Sequence, residues 1–144
     1  MGQARDVMDR LMAAMDAKDR ETLAGCYAVD AVVRTPDHDA ITGQQAIADY
    51  YSHFWEAMPD VRYERTATHE AGDVAVAEGF VVGTNTGQLR LPTGGTLPPT
   101  GRQLRVRSCD VPAVKDGVIT SHHAYFDQTE LLGRLGLLPE PAQG

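Results

Sequence analysis

An Asp-Gly pair at residues 116 and 117 is the feature that most constrains the fold of this chain. Such a pair between strand-like segments favours a two-residue hairpin turn, because both central residues of that turn need positive φ angles. The segments on either side, 103–114 and 118–126, have the alternation or the β-branched and aromatic residues typical of strands. We therefore predict an antiparallel hairpin whose second strand leads at Asp127 into a short capped helix.

The register of this hairpin predicts a buried acid–base pair. If the turn holds only its two central residues, counting outward along both strands places Asp110 opposite His123. Asp110 shares a face with Leu104 and Val106, and an ionised carboxylate on an apolar face needs a partner. An imidazole on the neighbouring strand supplies one. Pro112 is the weak point, since a one-residue slip there inverts the faces and breaks the pair.

The rest of the chain predicts an α+β fold, with three helices followed by an antiparallel sheet and the helices packed on one face. Residues 1–138 are expected to form one domain, and residues 139–144 a frayed tail. Residues 84–102, rich in glycine and proline, are predicted as a long hairpin loop. Helical spacing and strand-like alternation give the following elements: helices at 3–17, 20–27 and 44–58, a brief strand at 31–33, a loop at 36–39, and strands at 61–69 and 74–84.

Composition excludes several partners and sites. The net charge is −7 and the basic residues are scattered, so neither nucleic acid nor a membrane surface is an expected partner. No segment has the form of a leader or a membrane span, and we expect a cytoplasmic protein. Cys26 and Cys109 are expected to be free thiols, with a single disulfide as the alternative. His122 and His123 are adjacent and on opposite strand faces, so they cannot share a metal ion, and we expect neither metal nor cofactor.

Further residues are candidates for a small-molecule pocket. Glu78 alternates with apolar residues, and Tyr125 shares the predicted face of His123. The third helix carries an aromatic stripe that includes Tyr51, Phe54 and Trp55, and such a stripe is either core or part of a ligand platform.

Four segments resemble the SnoaL-like polyketide cyclases of the NTF2-like superfamily. They are FWEAMPDV at 54–61, GDVAVAEGFVVGTNTG at 72–87, PPTGR at 98–102 and VKDGVITSHHAYFDQTELLGRLGLLP at 114–139. The resemblance implies a curved antiparallel sheet wrapped into a cone, with three N-terminal helices on its concave side. It also implies a deep pocket at the open end and a homodimer.

The resemblance further implies an activity, an intramolecular aldol ring closure without metal or cofactor. Asp127 matches the aspartate that acts as general acid and base in these cyclases, and His123 or Tyr125 would donate to the enolate oxygen. Two positions depart from the family pattern. Asp110 lies in a stretch where characterised cyclases use a histidine, and Asn85 stands where relatives often have one. The Arg-x-Asp of related epoxide hydrolases is also absent, because the chain reads VAEGF there.

These inferences favour a cofactor-free enzyme acting on a hydrophobic, polyketide-like molecule, with lyase or isomerase chemistry of the kind used in antibiotic biosynthesis. Asp127 is the predicted acid and base, assisted by the pair of Asp110 and His123. The predicted substrate contacts are Tyr125, Glu78, Trp55, Tyr51, Phe54 and Asn85. The alternatives are an epoxide hydrolase or isomerase, and a non-catalytic binding dimer. Asp127 as a simple helix cap and His123 as a structural histidine also stay open.

Overall fold

A computed structural model describes residues 2–90 and 94–137 and shows an α+β fold; the predicted tail at 139–144 lies outside these residues. The helices are α1 (Gln3–Ala17), α2 (Arg20–Gly25), α3 (Gln44–Ala57) and α4 (Gln128–Arg134). The strands are β1 (Tyr27–Thr35), β2 (His38–Thr42), β3 (Arg62–Ala71), β4 (Val74–Thr84), β5 (Leu89–Arg90), β6 (Thr96–Leu97), β7 (Gln103–Lys115) and β8 (Val118–Phe126).

Six strands form one curved, unclosed sheet in the order β2-β1-β8-β7-β4-β3, and β5 and β6 pair separately in the long loop. All neighbours in the large sheet are antiparallel except β1 and β8, which run parallel. The three N-terminal helices pack on the concave face. Their apolar sides form the core with the inward residues of the sheet, including Met8, Leu11, Leu23, Ile47 and Ile119, all of which are buried.

Local sequence signals predict most of these elements well. The predicted bounds of α1, β4 and β8 match the structure, and α3 ends one residue earlier than predicted. Asp116 and Gly117 both have positive φ angles, as the predicted hairpin turn requires. The stretch 36–39 was predicted as a loop, but only its first half is a turn and β2 begins at His38.

The register of the β7–β8 hairpin differs from the prediction. Lys115 pairs with Val118 as expected, but beyond the next pair Ala113 faces Ser121, which leaves Thr120 as an extra residue in β8. This β-bulge shifts the remaining pairs by one residue. Asp110 therefore faces Ala124 rather than His123, and the predicted contact between Asp110 and His123 is wrong.

The bulge also exchanges the faces on which the two histidines lie. Alternate residues of a strand point to opposite faces, so a one-residue shift sends every later side chain to the other side. His122 consequently lies on the concave face and is fully buried, whereas His123 lies on the convex face and is partly exposed. The chemistry of the predicted pair is retained, with the other histidine as partner.

Candidate active site

An apolar cavity of about 120 Å³ lies between α3, the end of α1 and the concave face of the sheet. Asp16 and Arg62 line it and are themselves exposed, so they mark where it opens to solvent. Most of its wall is aliphatic or aromatic, including Phe54, Trp55, Met58, Leu104, Val106 and Phe126. A wall of this composition with a few polar groups is the ordinary form of a small-molecule site.

Asp110 is the carboxylate in the interior of this cavity. It lies in the middle of β7, lines the cavity and is 7% exposed. Its partners on the two neighbouring strands are Ala77 and Ala124. Because cross-strand partners share a face of the sheet, these small side chains leave space around the carboxylate that larger residues would fill.

The Asp110 carboxylate is held from behind by a buried histidine and a buried tyrosine. Its Oδ1 lies 2.7 Å from Nε2 of His122, and Nδ1 of His122 lies 2.8 Å from the hydroxyl of Tyr27. An ionised carboxylate only accepts hydrogen bonds, so Nε2 carries a hydrogen and donates a hydrogen bond to Oδ1 of Asp110. In the neutral imidazole Nδ1 then accepts from Tyr27. Both ring nitrogens of His122 are thus engaged, and only Asp110 faces the cavity.

Tyr27 reaches His122 because β1 runs beside β8. The two strands pair in parallel, with Tyr27 opposite Ile119 and Val33 opposite His122. The rings of Tyr27 and His122 stack with centroids 6.0 Å apart. Burial, and after it the neighbouring Tyr51, raises the pKa of Tyr27 well above its ordinary value, so its hydroxyl stays protonated and available as a donor. Sequence reasoning missed this residue, because the contact depends on a parallel pairing between distant parts of the chain.

Two of the three tyrosines on the cavity wall, Tyr51 and Tyr63, differ in how their hydroxyls are used. The hydroxyl of Tyr63 donates to the carbonyl oxygens of Ser108 and Ala77, at 3.0 and 3.3 Å. The hydroxyl of Tyr51 is buried and makes no hydrogen bond of acceptable geometry to any described residue. Burial first, and then the Asp110 carboxylate, raises the pKa of Tyr51. Tyr51 therefore lines the cavity and carries a buried O–H donor that makes no well-formed hydrogen bond.

Four of the residues predicted for the site lie in the cavity wall. Tyr51, Phe54 and Trp55 line it from α3, and Asp110 lines it from the sheet. The aromatic stripe of α3 is thus both core and cavity wall: Tyr50 is buried, Tyr51, Phe54 and Trp55 are partly exposed, and all four line the cavity.

Three other predicted residues lie on the convex face, away from the cavity. Nδ1 of His123 lies 3.1 Å from the hydroxyl of Tyr125, and Tyr125 is 55% exposed. Glu78 was expected to point inward, but its side chain is exposed and lies 4.0 Å from His69, because Ala75 and Ala77 take the inward positions of β4. The bulge in β8 places His123 and Tyr125 on the convex face. Glu78 lies there because the side chains of β4 point to the faces opposite to those predicted.

Asp127 and Asn85 have structural partners outside the cavity. Asp127 is the N-cap of α4: it is exposed, and its side chain accepts a hydrogen bond from the backbone N–H of Glu130 at 3.1 Å. Asn85 is buried, but its amide donates to the carbonyls of Ala57 and Gly87 and accepts from Thr100. These bonds fasten the base of the long loop, so the structure brings neither residue to the cavity wall.

Within residues 2–90 and 94–137, no three His, Cys, Asp or Glu side chains come together as a metal site would require. Cys26 and Cys109 are free thiols, as expected. None of the described helices is long and apolar enough to cross a bilayer.

Comparison with known proteins identifies the fold family. A family profile described as the SnoaL-like domain matches residues 8–122. No protein with a curated description matches the chain.

Solved structures agree with the family profile at the level of the fold. A presumed SnoaL-like polyketide cyclase from Jannaschia sp. CCS1 is 16% identical with a TM-score of 0.82, over 95% of this chain and 94% of that one. IdmH, a presumed polyketide cyclase from Streptomyces antibioticus, is 24% identical with a TM-score of 0.76, over 94% and 99% of the two chains. AclR, a presumed hydroxylase from Streptomyces galilaeus, is 19% identical with a TM-score of 0.80, over 97% and 85%.

Proposed function

The chain belongs to the family of SnoaL-like domains, and we propose that its cavity binds an apolar, polyketide-like ketone and closes a ring in it by acid–base catalysis. The observation that carries the proposal is the placement of Asp110. The carboxylate lines an apolar cavity, and His122 holds one of its oxygens. Its other oxygen has no hydrogen-bond partner in the described part of the chain.

In the proposed reaction, Asp110 removes a proton from a carbon next to a substrate carbonyl. The electron pair of the broken C–H bond forms an enolate, and the enolate carbon then forms a C–C bond to a second carbonyl carbon of the same molecule. The oxygen of that carbonyl takes the proton back from Asp110, so the ring-closed product is an isomer of the substrate. The apolar wall holds the two reacting carbons together and keeps water from competing.

His122 and Tyr27 are positioning residues in this proposal. They do not face the substrate, but they fix the orientation of the carboxylate and stabilise its ionised form through hydrogen bonds. We assign Asp127 no proton transfer, since its side chain caps α4 outside the cavity.

Proton abstraction can be tested without the natural substrate. We expect the protein to accelerate exchange of the C2 protons of 1-tetralone, a bicyclic aryl ketone, for deuterium in D₂O, followed by proton NMR. Asp110→Asn should slow this exchange by about a hundredfold or more, since general-base catalysis typically contributes 10²–10⁴-fold. Asp127→Asn is the matched control and should leave the rate unchanged. Slower exchange in Asp127→Asn with an unchanged rate in Asp110→Asn would refute the assignment of Asp110 as the base.

Ring closure itself is tested with an aromatic polyketide that carries a β-keto ester side chain beside a ring carbonyl. The expected product has the mass of the substrate and one additional carbon–carbon bond. Hydrolysis of an epoxide is the second candidate, because the unpaired oxygen of Asp110 is equally placed to activate a water molecule. An epoxide panel in ¹⁸O-labelled water separates the two reactions, since only hydrolysis incorporates the label.

A further inference from the structure

The hydroxyl of Tyr51 differs from the other buried tyrosine hydroxyls near the cavity. Tyr27 is hydrogen-bonded to His122, Tyr50 donates to Asp37 at 2.9 Å, and Tyr63 donates to two backbone carbonyls. Among the described residues, the Tyr51 hydroxyl makes no hydrogen bond of acceptable geometry, although it is fully buried and lies beside the hydroxyl of Tyr27, which is already engaged with His122. Buried polar groups in native proteins are nearly always hydrogen-bonded, so an exception of this kind points to an absent partner.

The surroundings of this hydroxyl define what the partner must be. The hydroxyl lies near enough to Asp110 for the carboxylate to raise its pKa, second only to burial, so it remains a neutral O–H and can donate. The partner that uses this O–H as a donor is an acceptor. It must also lie in the apolar cavity, which both residues line.

We propose that Tyr51 is the hydrogen-bond donor to the substrate's carbonyl oxygen, and that the site therefore selects ketones that can enolise. This inference rests on the proposed role of Asp110. When Asp110 takes the proton from the neighbouring carbon, negative charge develops on the carbonyl oxygen. Tyr51 stabilises that charge by donating a hydrogen bond, which becomes stronger as its acceptor becomes ionised.

This placement also separates the two groups that the reaction needs. The base acts on a carbon and the donor acts on the oxygen two bonds away, so both must approach one substrate from positions that do not coincide. Asp110 comes from β7 and Tyr51 from α3, and both line one cavity. His123 and Tyr125, the donors expected from the sequence, lie on the other side of the sheet.

The test uses 4-nitrophenolate, whose ionised oxygen on an aromatic ring imitates an enolate. Asp110→Asn serves as the background, because a neutral side chain at this position imitates the protein after proton abstraction. Binding is followed by quenching of Trp55, which is the only tryptophan of the chain and lies in the cavity wall. We expect the added substitution Tyr51→Phe to weaken 4-nitrophenolate binding by about ten- to a hundredfold, the range of a charge-assisted hydrogen bond.

Two controls make the result specific. Tyr125→Phe, the same chemical change on the convex face, should leave 4-nitrophenolate binding unchanged. 4-Nitroanisole, which has no ionised oxygen, should bind equally well with Tyr or Phe at position 51. The thermal midpoint of Tyr51→Phe should equal or exceed that of the parent, because the lost hydroxyl had no partner in the protein.

Two results would overturn the inference. One is equal 4-nitrophenolate affinity with Tyr and Phe at position 51, which would mean that only water meets the hydroxyl. The other is the absence of saturable 4-nitrophenolate binding to the Asp110→Asn protein. Neither result depends on turnover, so the inference about Tyr51 and the proposed role of Asp110 can fail independently.

Discussion

Replacing His122 with Phe removes the central member of the buried chain formed by Tyr27, His122 and Asp110. Phenylalanine is also a planar aromatic side chain, so the main change is the loss of two hydrogen bonds of 2.7 and 2.8 Å. Leaving a buried carboxylate without its hydrogen-bond partner costs about 3–5 kcal/mol, because its charge is then uncompensated. A chain of this length has a total stability of roughly 7–22 kcal/mol, so the loss is a large fraction of it.

Urea unfolding followed by far-UV circular dichroism measures this loss directly. We expect a lower midpoint with an unchanged slope, since the slope reports the surface exposed on unfolding. In a thermal scan the same loss corresponds to a decrease in Tm of about 6–20 °C. His123→Phe, the neighbouring substitution on the convex face, is the matched control and should change the free energy of unfolding by about 0.5 kcal/mol or less.

A second variant distinguishes a lost charge partner from poor packing. Asp110→Leu combined with His122→Phe removes the carboxylate as well, and should recover most of the stability that His122→Phe loses. A remaining deficit of about 1–3 kcal/mol is expected from the hydroxyl of Tyr27, which then has no acceptor. The reasoning is refuted if His122→Phe costs less than about 1 kcal/mol, or if the double variant is less stable than the single one.

Three further predictions concern pH, the helix cap and the cavity. Burial raises the pKa of Tyr27, Tyr50 and Tyr51 above the ordinary value of 10.0. The stability that comes from keeping these hydroxyls neutral in the folded protein is therefore complete below about pH 10 and is lost as the pH rises. Urea unfolding should show that the free energy of unfolding falls by about 4 kcal/mol by pH 11. An unchanged urea midpoint would contradict this prediction. Asp127→Ala should lower the free energy of unfolding by about 1 kcal/mol, and Asp127→Asn by only a few tenths. Both variants should exchange the ketone protons at the same rate. Slower exchange would mean that Asp127 takes part in the reaction. Ala124→Phe should fill the space beside Asp110 and abolish quenching of the cavity tryptophan by aryl ketones, and retained quenching would place their binding elsewhere.

The sequence predicts the elements of this fold better than it predicts their register. Helix bounds and hairpin turns follow from local signals, as at Asp116 and Gly117, where the turn chemistry allows only a narrow choice. The bulge at Thr120 has no such signal in one sequence. Because the two histidines are adjacent, this single residue decides which of them meets Asp110. Pro112 was the position at which a slip in the strand register was expected, and the register does change within two residues of it.

Tyr27 and Tyr51 illustrate a second limit of sequence reasoning. The sequence predicts Tyr27 as the last residue of a helix. Its hydrogen bond to His122 becomes evident only once β1 is seen to lie parallel to β8. The missing hydrogen bond of Tyr51 is a property of everything around it, so no local pattern can reveal it. Residues that act through long-range contacts are therefore found only in the folded chain, whereas an apolar stripe such as that of α3 is visible beforehand.

The strand on which the carboxylate and the histidine each lie determines which of them faces the cavity. The family resemblance implies a carboxylate at the end of the last strand. It also implies a histidine on the strand before it. Here the carboxylate that lines the cavity is on β7 and its histidine partner is on β8, while Asp127 at the end of β8 caps α4. A hydrogen bond between neighbouring strands forms equally well either way, but only the residue with an unpaired atom in the cavity can react with substrate. Both nitrogens of His122 are engaged, which is why our proposal assigns the proton transfer to Asp110.

Comparing His122→Gln with His122→Phe tests this last step. A glutamine amide can donate to Asp110 and accept from Tyr27, so it replaces the positioning role of the imidazole but cannot exchange protons near neutral pH. We expect His122→Gln to exchange the protons of 1-tetralone within about tenfold of the parent rate, and His122→Phe to lose a hundredfold or more. The pH profile of the Gln variant should keep the shape of the parent profile. Equal and severe losses in both variants would mean that the imidazole itself carries the proton.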